Sequence, residues 1–321
     1  MLEQTSTAFL FPGQGSQAVG MGRALAERYR VARQTFEEAD DVLGFALSRL
    51  CFEGPEGTLT ETINAQPALY VAGIAALRTL YEEMGGPFQP AQVAGHSLGE
   101  LTALTAAGAL SFPDGLTLVR RRGELMRDAG RYSPGGMAAI LGAELEQVEA
   151  WCAAAVEETG GVVVVANDNC PGQIVIAGDN RALSAAMARA AEAIGVRRAV
   201  RLPVSIAAHS PLMAPVQAEF RQALDATPFH SPVIPIIGNT QARPLTAVEE
   251  VRAELGAQLT SPVRWTESIR AMIAAGITDF VELGSRDVLV GLLKRIDREA
   301  RGHAVDAPEG IVALQGAGGR A

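Results

Sequence analysis

Gly95-His96-Ser97-Leu98-Gly99 sets a serine two residues from a glycine on either side, the G-x-S-x-G spacing of a sharp strand-to-helix turn. A serine on so tight a turn crowds the positions two residues away, so neither can carry a side chain. The turn exposes the hydroxyl, and the N-terminus of the helix that follows directs free N–H groups at a developing oxyanion. The backbone N–H of Leu98 is the natural first donor. These features suit Ser97 to nucleophilic attack on an acyl group. A turn that uses small residues for packing alone has the same spacing.

A serine hydroxyl at its ordinary pKa needs a base, and the chain has four histidines to supply one. His96 adjoins the serine, where neighbouring side chains diverge. His230 precedes Ser231-Pro232 at a strand entry, and His303 lies near the C-terminus. His209 is followed by Ser210, a good N-cap, and Pro211, a good first helical residue. The positive end of that helix disfavours imidazolium and keeps His209 neutral, as a general base must be. A histidine that merely occupies a capping region has the same setting.

Between Leu116 and Asp128, residues advance about 100° each if helical. Leu118, Val119, Leu125 and Met126 then define one apolar face with Arg122 at its centre, while Arg120, Arg121, Glu124, Arg127 and Asp128 share the opposite, solvated side. A guanidinium on an apolar face must be paired. Either an internal carboxylate or a ligand anion is its partner, and a substrate carboxylate would accept two parallel hydrogen bonds.

The elements that must position these residues alternate strand and helix. Thr7–Phe11 reads as a buried strand ending in the Gly-rich loop Pro12-Gly13-Gln14-Gly15-Ser16-Gln17, followed by a helix with Met21, Leu25 and Tyr29 on one side. Gln66–Met84 reads as a helix with Pro67 in its first turn, Gln92–Gly95 as a strand, and Leu98–Ala109 as a helix. This is the pattern of an α/β domain with a parallel sheet. From about Ser133 to Leu202 the order becomes β-α-β-β-α-β, the split ferredoxin-like unit. Strand Val233–Gly238 and helix Trp265–Ala275 then resume the α/β pattern, with a further strand at Thr278–Leu283 and helix at Val288–Glu299. The expected organisation is a discontinuous catalytic part (1–132 and 203–301), a ferredoxin-like subdomain (133–202) and a loosely held tail (302–321).

Composition narrows the function classes. With 48% hydrophobic and 20% charged residues the chain reads as globular, and a net charge of −9 argues against a general nucleic-acid binder. Cys51, Cys152 and Cys170 have no metal-ligand spacing and read as reduced thiols, so no metal site is expected. The apolar run Ala8–Phe11 is too short for a signal peptide, and no stretch has the length of a transmembrane helix. A cytoplasmic monomer without membrane contact is expected.

Taken together, Phe11-Pro12-Gly13-Gln14-Gly15-Ser16-Gln17, Gly95-His96-Ser97-Leu98-Gly99-Glu100, Arg122-Gly123 with Met126, Pro171-Gly172-Gln173, His209-Ser210-Pro211 and Gln258-Leu259 resemble the malonyl-CoA:acyl carrier protein transacylases and the acyltransferase domains of polyketide synthases. The resemblance extends to about residue 300. It implies a hydrolase-like α/β core with the ferredoxin-like unit inserted. It also implies Ser97 as nucleophile, His209 as base, Gln14 and Leu98 in the oxyanion hole, Arg122 on the malonyl carboxylate, and the Gln258 carbonyl orienting His209. Met126 and Ala208 would line the pocket. The implied reaction is ping-pong, from malonyl-CoA to acyl carrier protein with no tightly bound cofactor, for fatty-acid synthesis or a polyketide line served in trans.

The chain departs from that family's pattern at Gly284-Ser285-Arg286, where Gly-Pro-Gly is common, and at Ala207-Ala208, where extender-selective polyketide domains carry larger residues. Leu98 resembles malonyl-selective members. A thioesterase-like hydrolase would share Ser97 and His209 but has no need of Arg122, and a non-catalytic docking module would be expected to lack one of the pair. An acidic carrier protein would need a local basic face, which either Arg197, Arg198 and Arg201 or Lys294, Arg295 and Arg298 could provide.

Overall fold

The computed structural model describes residues 2–316. Its strands are β1 (Thr7–Phe11), β2 (Gln92–Gly95), β3 (Gly135–Leu141), β4 (Val163–Cys170), β5 (Gln173–Asp179), β6 (Arg198–Arg201), β7 (Ile236–Ile237), β8 (Pro244–Leu245), β9 (Val263–Arg264), β10 (Asp279–Leu283) and β11 (Arg301–Val305). They form two sheets, ordered β11-β10-β1-β2-β7-β8 and β6-β3-β5-β4-β9. The first is parallel except for β8, which returns antiparallel to β7.

β1 shows how the parallel sheet is specified. All five of its residues are buried, and the four after Thr7 make the apolar run of a strand covered on both faces. Phe9 and Phe11 enter one core, and Ala8 and Leu10 enter the other, as a two-residue repeat requires. Over the first face lies helix Thr62–Glu83, apolar nearly all round and buried accordingly. This helix begins four residues before the expected start, so Pro67 sits in its second turn. Proline cannot donate to the carbonyl four residues back, and the Ile63 oxygen instead accepts Arg120 Nη1 at 3.0 Å. Arg120, expected in solvent, is therefore half-buried and engaged.

The second sheet is built from the middle of the chain. β3, β5 and β4 run antiparallel side by side, β6 pairs antiparallel with β3, and helices Leu145–Thr159 and Asn180–Glu192 cover one side. Residues 263–264, far along the chain, add β9 parallel to β4. Two other expectations need correction. Of Val233–Gly238 only Ile236–Ile237 pairs, and Val233 is exposed. The segment from Gly302 is not a loose tail, because β11 completes the parallel sheet beside β10 and helix Pro308–Gly316 buries Ile311 and Leu314. Residues 317–321 of that expectation lie outside the described residues. All three cysteines are free and buried. Among the described residues no helix is long and apolar enough to cross a membrane.

Candidate active site

β2 ends at Gly95 and the next helix starts at Gly99, leaving Ser97 at φ +53° in the turn between them. Both glycines are obligatory. A Cβ on Gly95 would stand 1.9 Å from the Gly99 backbone, and one on Gly99 would stand 2.0 Å from the Phe11 carbonyl oxygen. The strained serine points its hydroxyl across the site, where Oγ lies 2.7 Å from His209 Nε2.

His209 also takes positive φ, +59°, immediately ahead of a turn capped by Ser210, whose Oγ accepts the Leu212 N–H. Its Nδ1 lies 2.9 Å from the Gln258 carbonyl and 3.1 Å from that of Ser261. Carbonyls only accept, so the ring proton belongs on Nδ1 and the Nε2 lone pair faces the serine O–H. Burial, and then the Arg122 charge, depress the His209 pKa to about 3. The imidazole is thus neutral and able to take a proton only as one is offered during reaction.

Arg122 lies on the buried face of helix Phe112–Tyr132, where the apolar stripe placed it, with 1% of its surface exposed. No carboxylate pairs with it directly among the described residues. Nη1 donates to Gln66 Oε1 (2.8 Å), and Nη2 to Gln258 Oε1 (2.9 Å) and Ser97 Oγ (3.1 Å), while Nε has no partner. All three acceptors are neutral, so a buried cation stands beside the serine with donors available to an anion. Burial lowers its pKa to about 10, opposed by Glu100, which leaves the guanidinium charged at neutral pH.

Gln258 connects these groups. Its side-chain Nε2 donates to the Ser97 carbonyl (2.9 Å) and to Glu100 Oε2, its Oε1 faces Arg122, and its main-chain carbonyl faces His209. Glu100 is fully buried, and burial together with the nearby Glu254 raises its pKa well above the ordinary carboxylate value. On the other side, Gln14 Oε1 accepts from Thr62 Oγ1 (2.8 Å), which accepts from Gln66 Nε2 (2.8 Å). The Gly-rich loop is thereby tied to Arg122 through two polar side chains. Among the described residues, the N–H groups of Gln14 and Leu98 have no protein acceptor. A cavity of about 350 Å³ lined by Gln14, Thr62, Ile63, Arg127 and Val204–Ile206 opens beside this loop.

Met126 Sδ lies 3.2 Å from Gln66 Nε2, and Ala208 is buried next to His209. At Gly284-Ser285-Arg286 the loop keeps positive φ at its first and third residues, and Ser285 Oγ donates to the Ser16 carbonyl at 2.7 Å, fastening the Gly-rich loop from behind. The geometry brings together a serine hydroxyl, a neutral imidazole facing it, two amides without a protein acceptor among the described residues and a buried cation.

The chain matches the family model described as "Acyl transferase domain" over residues 8–307. It is 46% identical over 304 residues to the malonyl CoA-acyl carrier protein transacylase of Bacillus subtilis (strain 168), covering 95% of this chain and 94% of that protein. The chain belongs to the acyl transferase domain family. Among solved structures, the malonyl-CoA:acyl carrier protein transacylase of Xanthomonas oryzae pv. oryzae superposes on this acyltransferase with a TM-score of 0.93 at 44% identity, covering 99% of each chain. A malonyl-transacylase solved in complex with its type II polyketide synthase acyl-carrier protein gives 0.92 at 38% identity, covering 97% of this chain and 99% of that one.

The acyltransferase site also contains residues that sequence reasoning missed. Gln66 is as visible as Arg122 was, a polar residue opening an apolar helical run. Glu100 likewise precedes Leu101 and Ala103 on a buried helix. Ser261, Asn169 (Oδ1 2.8 Å from His96 Nε2) and Asn239, whose side chain bonds the Ser97 turn, lie on turns or irregular strand ends without a local signal.

Proposed function

We propose that the chain transfers a malonyl group from malonyl-CoA to the phosphopantetheine thiol of acyl carrier protein through an O-malonyl Ser97, supplying extender units for fatty-acid synthesis. The observation that carries this reading is Arg122, buried with neutral acceptors alone and reaching Ser97 Oγ. A hydrolase for plain acyl chains has no use for such a cation, whereas a malonyl carboxylate neutralises it.

In the first half-reaction Ser97 Oγ attacks the thioester carbonyl carbon as its proton passes to His209 Nε2. The amides of Leu98 and Gln14 hold the tetrahedral oxyanion. Collapse breaks the C–S bond, and the departing coenzyme A sulfur takes the proton from His209. In the second half the carrier thiol gives its proton to His209, its sulfur attacks the ester, and Ser97 leaves and is reprotonated. The main-chain carbonyl of Gln258 keeps His209 in the tautomer that both halves require. Arg122 selects the carboxylated acyl group and holds it against the helix that carries Met126, with the small Ala208 facing it.

The strand order of β3 to β6 and their two helices supports reading residues 133–202 as an inserted ferredoxin-like subdomain on a hydrolase-like catalytic part made of 2–132 and 203–316, β11 included. For the acidic carrier, the edge strand β6 and the residue before it offer exposed Arg197 and Arg198, with Arg201 bonded to Asn180 and the fully exposed Ile194 beside them. Arg295 of the alternative cluster is already held by Gln173 and the Pro171 carbonyl. Intact-protein mass spectrometry after mixing with malonyl-CoA and acetyl-CoA tests the reading. A malonyl adduct that is absent in S97A, persists in water and is discharged by carrier protein is expected. An adduct in S97A, or one lost to water faster than to the carrier thiol, refutes it.

A further inference from the structure

Asn239 takes no part in the proton transfers above, yet its side chain makes two bonds to the backbone that enters the turn at Ser97. It is 1% exposed and follows β7, which lies parallel to β2. Its Oδ1 accepts the Ser97 N–H and its Nδ2 donates to the Gly95 carbonyl, each at 2.7 Å. These two backbone groups flank His96 and fix the chain that leads into the strained residue. A non-glycine residue stays at φ +53° only where its surroundings over-determine it. Adjacent donor and acceptor atoms in one rigid plane are what a carboxamide offers, and neither an ionised carboxylate nor an apolar side chain supplies both. The Ser97 N–H, engaged in this way, is not free to serve an oxyanion, which leaves that task to the unengaged amides of Leu98 and Gln14.

We infer that Asn239 is a positioning residue for acyl transfer, clamping the Ser97 turn so that Oγ meets His209 Nε2 and withholding the Ser97 amide from the oxyanion site. The inference rests on the reading of Ser97 as nucleophile.

The variant N239D separates positioning from mere support. An ionised Asp at 239 would accept the Ser97 N–H but set a negative oxygen against the Gly95 carbonyl. The protonated acid restores both bonds. The charged and titratable groups around the site are Glu100 against the Asn239 main-chain N–H, Glu254 bonded to Thr240, and Arg122, His96 and His209 across the serine, while Arg264 meets Asn239 only through its main-chain N–H and turns its guanidinium to Glu267. Burial and the two carboxyls push a new acid at this position towards protonation in mildly acidic solution, where His209 remains neutral.

Displacing a nucleophile by a fraction of an ångström to 1 Å costs on the order of 100-fold. N239D should therefore fall about 100-fold in kcat at pH 8 and recover to within about fivefold of wild type at pH 5.5. Its KM for malonyl-CoA should stay within about twofold, because Arg122 is untouched. N239L should stay about 100-fold down at both pH values. A ratio of N239D to wild type that does not change with pH, in protein that melts like wild type, overturns the inference, as does wild-type kcat in N239L. S97A is run alongside. Transfer by S97A refutes the serine mechanism itself, while an inactive S97A with a pH-independent N239D ratio refutes only the role of Asn239.

Discussion

Replacing Arg122 probes selectivity most directly, because its present partners are all neutral and a malonyl carboxylate would be the first anion it meets. Two parallel charge-assisted bonds to a carboxylate contribute about 1.5–3 kcal/mol each. Part of the present bonding to Gln66 and Gln258 is surrendered when the anion arrives, so a net gain of about 3 kcal/mol is reasonable, or about 100-fold. Arg122→Ala should lower kcat/KM for malonyl-CoA by that factor. Acetyl-CoA has no carboxylate and should change about threefold or less, so discrimination collapses by roughly 100-fold. Arg122→Leu, which fills more of the space, guards against a cavity artefact. The assay is transfer to carrier protein from each acyl-CoA, with the Ser97 adduct partitioned by mass when both are offered. There is a second readout. Arg122 is the second cause, after burial, of the low His209 pKa. Without it the folded pKa rises and the acid limb of kcat moves to higher pH. An equal loss for malonyl and acetyl substrates would refute the assignment of Arg122 as the carboxylate clamp, and an unmoved acid limb would refute its part in lowering the His209 pKa.

Glu100→Gln should keep the acceptor for Gln258 while removing a buried acid whose folded pKa is raised above its unfolded value. Such an acid costs stability as pH rises through the unfolded value, so the melting temperature of the variant relative to wild type should climb from pH 5 to pH 8. A constant difference argues against it. Gly95→Ala, whose Cβ would stand 1.9 Å from backbone, should cost about 3 kcal/mol or more and appear as a sharply lowered melting temperature or loss of soluble protein. The double variant R197E/R198E should raise KM for carrier protein and leave hydrolysis-free acylation by malonyl-CoA unchanged. An unchanged KM removes β6 from the docking surface.

The parts of the site that were legible in the sequence are those whose signal is local. β1 announces itself by the apolar run Ala8–Phe11, the turn at Ser97 by its two glycines, and Arg122 by its place on a periodic apolar face. The start of helix Thr62–Glu83 is hidden because no side chain caps it, and Pro67 reads as a first-turn residue when the preceding turn lacks a marker. β11 was illegible for a different reason. Arg301-Gly302-His303-Ala304-Val305 lies at the edge of the sheet with one flank exposed, so pairing with β10 holds it rather than an apolar pattern. Gln258 and Asn239 matter through contacts across the fold, and nothing within ten residues of either foretells which main-chain groups they meet.

Those long contacts bear on when the enzyme becomes competent during synthesis. Ser97 bonds to Asn239 across 142 residues and to Gln258 across 161. The whole β3–β6 unit must be made and folded between them. Loop closure over such separations is slow and comes late. The turn that carries Ser97 therefore emerges early but is assembled among the last features of the fold. Acylation of Ser97 would then serve as a stoichiometric count of molecules that have finished folding, distinguishing them from compact but incomplete chains with the same helical content.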